Sequence, residues 1–207
     1  MKAILARLTE RVSGDVQVRQ GDCRNLGSLV DNKFDAIITS PPYLNAIDYL
    51  RGHKLALVWL GYSIPMIREI RSESVGTERS RSTRHKRVAE YPGLKTWVPE
   101  ISSLPVRQMS IVNKYAYDAD AMIREMRHVI ALHGRLVLVL ADSVVRGIEV
   151  PSSNIFSGIA QKFGFRSVEK IVREIPASRR YLPFAGETGT LARRMRFESV
   201  ETFMVAN

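Results

Sequence analysis

Ser40, Pro41, Pro42 and Tyr43 end the apolar run in FDAIITSPPYLNAIDY, residues 34–49. Two prolines remove two backbone N–H groups and fix φ. Ser40 is restrained as well, because it precedes a proline. The corner is stiff, poor in donors and rich in acceptors: carbonyl oxygens, one hydroxyl, then an aromatic ring. Such a surface suits a planar group that carries an amine. A second feature is the acidic turn Gly21-Asp22, followed by Cys23, the chain's one cysteine. A single cysteine excludes an internal disulfide and any multi-cysteine zinc site. His53, His85, His128 and His133 show no metal-ligand spacing. A third feature is basic: Arg79, Arg81, Arg84, Lys86 and Arg87 lie within nine positions. They suit a phosphate-binding strip; a solvated surface loop is the plainer reading. Arg179 and Arg180 are further candidates for nucleic-acid contact, with Arg193 and Arg194 behind them.

The elements that must hold these residues follow from periodicity. Ile4, Leu5, Leu8 and Val12 predict a helix over 2–12, ended by Ser13-Gly14-Asp15. DVQVRQGD alternates like a short strand, with Val16 and Val18 on one side. Residues 34–39 read as a buried strand, too uniformly apolar for alternation. Residues 46–60 read as a helix, with Leu50, Leu55, Leu57 and Leu60 among its apolar positions. From 61 to about 115 the chain turns polar and basic, a predicted insertion within one domain spanning 1–207. Met122, Met126 and Ile130 predict a helix over 119–132, capped by Gly134. GRLVLVLAD is the strongest strand pattern, followed by a helix over 155–163 and two strands, SVEKIVREI and SVETFMVA. This order predicts an α/β sheet ending in an antiparallel pair.

The chain has 207 residues, 31 Lys+Arg against 21 Asp+Glu, and a formal net charge of +10. It is long enough for one sizeable core. The charge suits a polyanion, nucleic acid first and an anionic membrane surface second. No run approaches the roughly 20 apolar residues that span a bilayer. The charged N-terminus lacks a signal-peptide shape. A cytoplasmic location is the expectation.

TSPPY resembles the catalytic motif of the amino-group DNA methyltransferases. These enzymes methylate cytosine N4 or adenine N6 with S-adenosylmethionine. The similarity extends to VRQGDCRNL, GRLVLVLAD, the Gly164-Phe165 turn and RMRFESVETFMV. The resemblance implies a Rossmann-like class I methyltransferase sheet of order 3-2-1-4-5-7-6. It implies DNA as substrate, the 61–115 insertion as a target-recognition region, and Ser40, Pro41, Pro42 and Tyr43 as the catalytic corner. Asp22 would accept a hydrogen bond from the cofactor adenine, with Cys23 lining the pocket and Ser40 at its methyl end. Ser40 Oγ and the Pro41 carbonyl would accept the two amine hydrogens, and Tyr43 would stack on the flipped base. Ser in the first position favours cytosine N4. An RNA base methyltransferase, acting on guanine N2 or adenine N6, shares the fold. A non-catalytic nucleic-acid-binding or regulatory subunit is the reading from another class.

One part of the family's pattern is missing. No glycine-rich cofactor loop precedes TSPPY. The stretch 182–190, LPFAGETGT, has glycines one residue too far apart and follows no apolar strand. The chain thus supplies strand 3 and the block 4-5-7-6 but lacks strands 1 and 2. A second polypeptide bringing the glycine loop and the central strands is the expectation, because bare sheet edges are costly. Without those strands, nothing in this reading fixes the distance between Asp22 and Ser40.

Overall fold

The computed structural model describes residues 14–44, 49–77, 89–176 and 197–206. Strand β1 is Phe34–Thr39. Two short helices, Tyr49–Gly52 and Lys54–Trp59, follow the proline corner. Helix α1 is Ile64–Glu73, capped by the Ser63 hydroxyl, which accepts from the Met66 N–H. A helical turn, Leu94–Trp97, and a 3-10 turn, Pro99–Ser103, lead into the long helix α2, Val106–Val129. Strand β2 is Ile130–Ala141, with a small hairpin of β3, Ser143–Val145, and β4, Ile148–Val150. Helix α3 is Ser152–Lys162, and strands β5, Phe165–Glu174, and β6, Phe197–Val205, complete the order.

The main sheet runs β1-β2-β6-β5. β1 lies parallel to β2, with Ile37 opposite Leu136 and Thr39 opposite Leu138. β6 is antiparallel to both of its neighbours. This is the order expected for the block 4-5-7-6, with the antiparallel strand inserted between its neighbours.

Side chains alternate across a strand, and the two faces differ. Leu136, Leu138 and Leu140 of β2, with Phe203 and Val205 of β6, are buried. They pack with Met122, Ile123 and Met126 of α2 and Ile155, Phe156 and Ile159 of α3. On the other face Val137, Val139, Val200, Thr202 and Met204 are only half-buried. Ile38, paired with Val137, is 76% exposed.

Several expectations need correction. Residues 14–22 form no strand, and Val16 and Val18 are 82% and 92% exposed. A strand exists through its ladder, and the described residues offer this segment no partner. β1 forms as expected but is not buried: among the described residues it is an edge strand, with Phe34 42% exposed. The helix expected over 46–60 is two short pieces broken at His53, with Leu55 and Leu60 exposed; residues 45–48 lie outside the described set. The helix expected over 119–132 is α2, which ends at Val129 and begins at Val106, inside the expected insertion, with Ile111, Val112 and Tyr115 in the core. Gly134 does not cap it. α2 runs straight into β2, and Gly134 lies in the strand, where a Cβ would stand 2.6 Å from Ile130. The expectations for helix 2–12, for Arg79, Arg81, Arg84, Lys86 and Arg87, for Arg179, Arg180, Arg193 and Arg194, and for 182–190 fall outside the described residues. No helix among the described residues is long and apolar enough to cross a membrane.

Candidate active site

Ser40 leaves β1 one residue beyond its last ladder position, at the carboxyl end of the strand. In open α/β sheets that end is where ligands sit. Its hydroxyl donates to the Val139 carbonyl of β2 at 3.2 Å. The contact falls where the next residue, Pro41, has no N–H to give. The same Oγ lies 3.0 Å from the Tyr43 hydroxyl. A serine hydroxyl has one hydrogen. With that hydrogen on Val139, Tyr43 is the donor to Ser40, and Ser40 Oγ keeps one lone pair for a further donor. Ser40 is exposed and Pro41 buried, so an exposed serine stands on a fixed base.

The corner is held from behind. Tyr115 of α2, 1% exposed, donates its hydroxyl to the Pro42 carbonyl at 3.0 Å. Ser143 Oγ donates to the Leu44 carbonyl at 2.5 Å. Gly76, at φ 74°, lies so close that a Cβ there would be 3.2 Å from the Tyr43 carbonyl. Leu44 is fully buried and anchors the following turn in the core. Burial pushes the Tyr115 hydroxyl well above its ordinary pKa, so it stays a donor at any physiological pH.

Asp22 sits in a second cluster. Its Oδ1 accepts from the Arg24 backbone N–H at 2.8 Å and from Arg24 Nε at 3.0 Å. Its Oδ2 accepts from Arg24 Nη2 at 2.7 Å. These hydrogen bonds hold the Asp22 carboxyl below the usual carboxylate range. The side chain remains 49% exposed, and a carboxylate has about four acceptor positions, so capacity for one more donor is left. Arg24 also donates to Asp118 of α2 at 2.9 Å and to the Glu73 carbonyl at 3.0 Å. Lys114 completes the pairing of Asp118. Cys23, half-buried, packs against the core, and burial raises its thiol pKa, so it is protonated and poorly reactive.

The two clusters are tied together, which corrects the expectation that nothing fixes Asp22 relative to Ser40. Tyr115 and Asp118 lie one turn apart on α2, and residues three apart share a helix face. One holds the corner and the other holds Arg24. The segment from Glu73 to Gly76 touches both clusters again. Sequence reading missed Tyr115, Asp118, Arg24 and Gly76. The one signal for them was the three-residue spacing of Tyr115 and Asp118 on a helix, hidden by the polar composition around it.

No family model matches this chain. It is 39% identical over 66 residues to the Type II methyltransferase M.BsoBI of Geobacillus stearothermophilus, covering 32% of this chain and 13% of that protein. It is 25% identical over 158 residues to the Type II methyltransferase M.MvaI of Kocuria varians, covering 72% and 35%. It is 27% identical over 155 residues to the Type II methyltransferase M.AvaI of Nostoc sp. strain PCC 7120, covering 67% and 32%. The chain is similar to Type II methyltransferases. It spans at most about a third of the length of these relatives. Among solved structures, TTHA0409 of Thermus thermophilus is 17% identical with a TM-score of 0.43, over 90% of this chain and 52% of that one. A likeness of that strength fixes no feature of this chain.

Proposed function

We propose that this chain is the catalytic part of a DNA methyltransferase that acts on an exocyclic base amine, cytosine N4 before adenine N6. The observation that carries the reading is Ser40. Its hydrogen is committed to Val139, Tyr43 donates to one lone pair, and the residue is exposed. The similarity to Type II methyltransferases supports DNA as the substrate and S-adenosylmethionine as the donor.

An exocyclic amine is a poor nucleophile because its lone pair is delocalised into the ring. Ser40 Oγ accepts one amine hydrogen and the Pro41 carbonyl the other, which draws the nitrogen toward tetrahedral geometry. The lone pair then points along the line of attack. Tyr43, its hydroxyl anchored on Ser40, offers its ring to the base. Preorganised acceptors of this kind are worth several kcal/mol in a transition state. The target base must leave the duplex to reach this corner, at a cost of a few kcal/mol. When bound, S-adenosylmethionine supplies an electrophilic methyl on sulfonium. Asp22, with its remaining acceptor capacity, Cys23 and Ser40 would hold it. The fit is partial, because the chain carries no glycine loop for the methionine end.

Among the described residues the open β1 edge and the exposed Ile38 support a second polypeptide that completes the site. The basic segment 79–87 is proposed as its DNA-binding strip. Replacing Arg79, Arg81, Arg84, Lys86 and Arg87 with Ala should flatten the salt dependence of binding, by about 0.9 in log–log slope per lost phosphate contact. The decisive test is co-production with a polypeptide that supplies the glycine loop, followed by labelled methyl transfer to DNA and mass analysis of its nucleosides. Wild type should yield N4-methylcytosine, and Ser40→Ala should lower the rate at least about 100-fold, in the range of a lost preorganised transition-state hydrogen bond, with DNA affinity kept. Wild-type turnover by Ser40→Ala would remove this mechanism.

A further inference from the structure

Of the three consecutive carbonyls from Pro42 to Leu44, the first and the last each accept a hydrogen bond from a different part of the chain, and the middle one lies close to a third. Tyr115 donates to Pro42, the backbone at Gly76 packs against Tyr43, and Ser143 donates to Leu44. Tyr115 is the deepest of the three, buried in the core beside Phe156 with rings 6.0 Å apart. Three residues on, Asp118 receives Arg24, which in turn grips Asp22. The corner and the acidic turn thus hang from neighbouring positions of one 24-residue helix.

We propose that Tyr115 and Asp118 are positioning residues: one turn of α2 sets the catalytic corner and the acidic turn at a fixed separation, so that this chain alone preorganises half of the site. The catalytic consequence rests on the proposed function; the ruler itself does not. Of the two prolyl carbonyls, Tyr115 occupies that of Pro42. Loss of the Tyr115 hydroxyl would leave a carbonyl short of its donor and release the corner to turn. Loss of the whole Asp118 carboxylate would free Arg24 from α2 while leaving it on Asp22.

The test is amide hydrogen exchange on the full chain, which reads local opening segment by segment. Tyr115→Phe should speed exchange about fivefold to tenfold in the segment with Ser40, Tyr43 and Leu44, the effect of one lost buried hydrogen bond. Residues 22–29 should keep their rates. Asp118→Ala should do the reverse, loosening 22–29 and sparing the corner. Ser110→Ala, which removes another hydroxyl bonded to a carbonyl on the same helix at 2.9 Å, should change neither. Equal loosening of both segments by either variant, or no change in either, would overturn the ruler. If Tyr115→Phe fails to fold, Ser143→Ala, which removes the donor to the Leu44 carbonyl, probes the corner from the other side and should give the same selective result. In an active, complemented preparation Tyr115→Phe should lower kcat about tenfold or more with KM for DNA unchanged. An unchanged kcat would remove the catalytic consequence. A wild type without methyl transfer would refute the proposed function and leave the exchange result to judge the ruler.

Discussion

The two sides of the β1-β2-β6-β5 sheet differ more than two sides of an α/β sheet should. On one side Leu136, Leu138, Leu140, Phe203 and Val205 are buried beneath α2 and α3. On the other, Val137 and Val200 are half-buried and Ile38 stands 76% exposed at the edge of a parallel strand. Parallel strands are normally covered on both faces. An apolar parallel strand at an edge carries unpaired backbone groups and a row of exposed side chains. The packed side explains how the chain holds the corner in place. On the proposed function, the open side is the face a completing polypeptide would cover.

The sharpest way to break this comparison is to damage the packed side. Leu138→Ala should cost about 2–5 kcal/mol, since it opens a cavity in a fully buried position. Ile38→Ser should change the stability of the chain alone by no more than about 0.5 kcal/mol, as at other exposed positions. Denaturant melts of both variants check this pair. Equal losses would mean that the open side is packed after all. The same Ile38→Ser substitution should weaken association with a completing polypeptide, read by analytical ultracentrifugation.

Tyr43 lies at the border of the two sides. Tyr43→Ala should reduce DNA affinity by about 1–3 kcal/mol through lost base stacking, with little effect on melting. Tyr43→Phe keeps the ring and should retain most of that affinity, losing only the donor to Ser40. Identical affinity losses for both variants would argue against stacking.

The smallest effect concerns Asp22. Its carboxyl is held below 3.8 first by the Arg24 side chain. A lowered folded pKa gives stability that is present above the unfolded value and lost as pH falls through the folded one. The Asp22–Arg24 contribution should therefore fade only below about pH 3.8. In Arg24→Ala the Asp22 titration, followed by NMR, should move back up toward that value. A titration that does not move would mean that the pairing is loose in solution.

Much of the strand content was legible. GRLVLVLAD and SVETFMVA are short, β-branched and apolar enough to read as strands, and their inward leucines, Phe203 and Val205 fill one core. The Ser-Pro-Pro-Tyr corner was legible because prolines stop a strand whatever its surroundings. The strand at 14–22 misled, because alternation shows what could pair and cannot supply the partner. α2 was cut short in the reading, since Lys114, Tyr117 and Asp118 diluted the apolar period of Ile111, Val112, Tyr115 and Ala119. That error hid Tyr115. Its hydroxyl contact with Pro42 spans 73 residues of sequence, a distance no local pattern reports.

The central claim is that this chain holds the corner and the acidic turn in place yet lacks the part that grips the cofactor. Calorimetric titration of S-adenosylmethionine into the chain, alone and with a polypeptide carrying the glycine loop, tests it most directly. The account predicts no measurable heat of binding for the chain alone and stoichiometric binding for the pair. Tight, stoichiometric binding by the monomeric chain alone would contradict it.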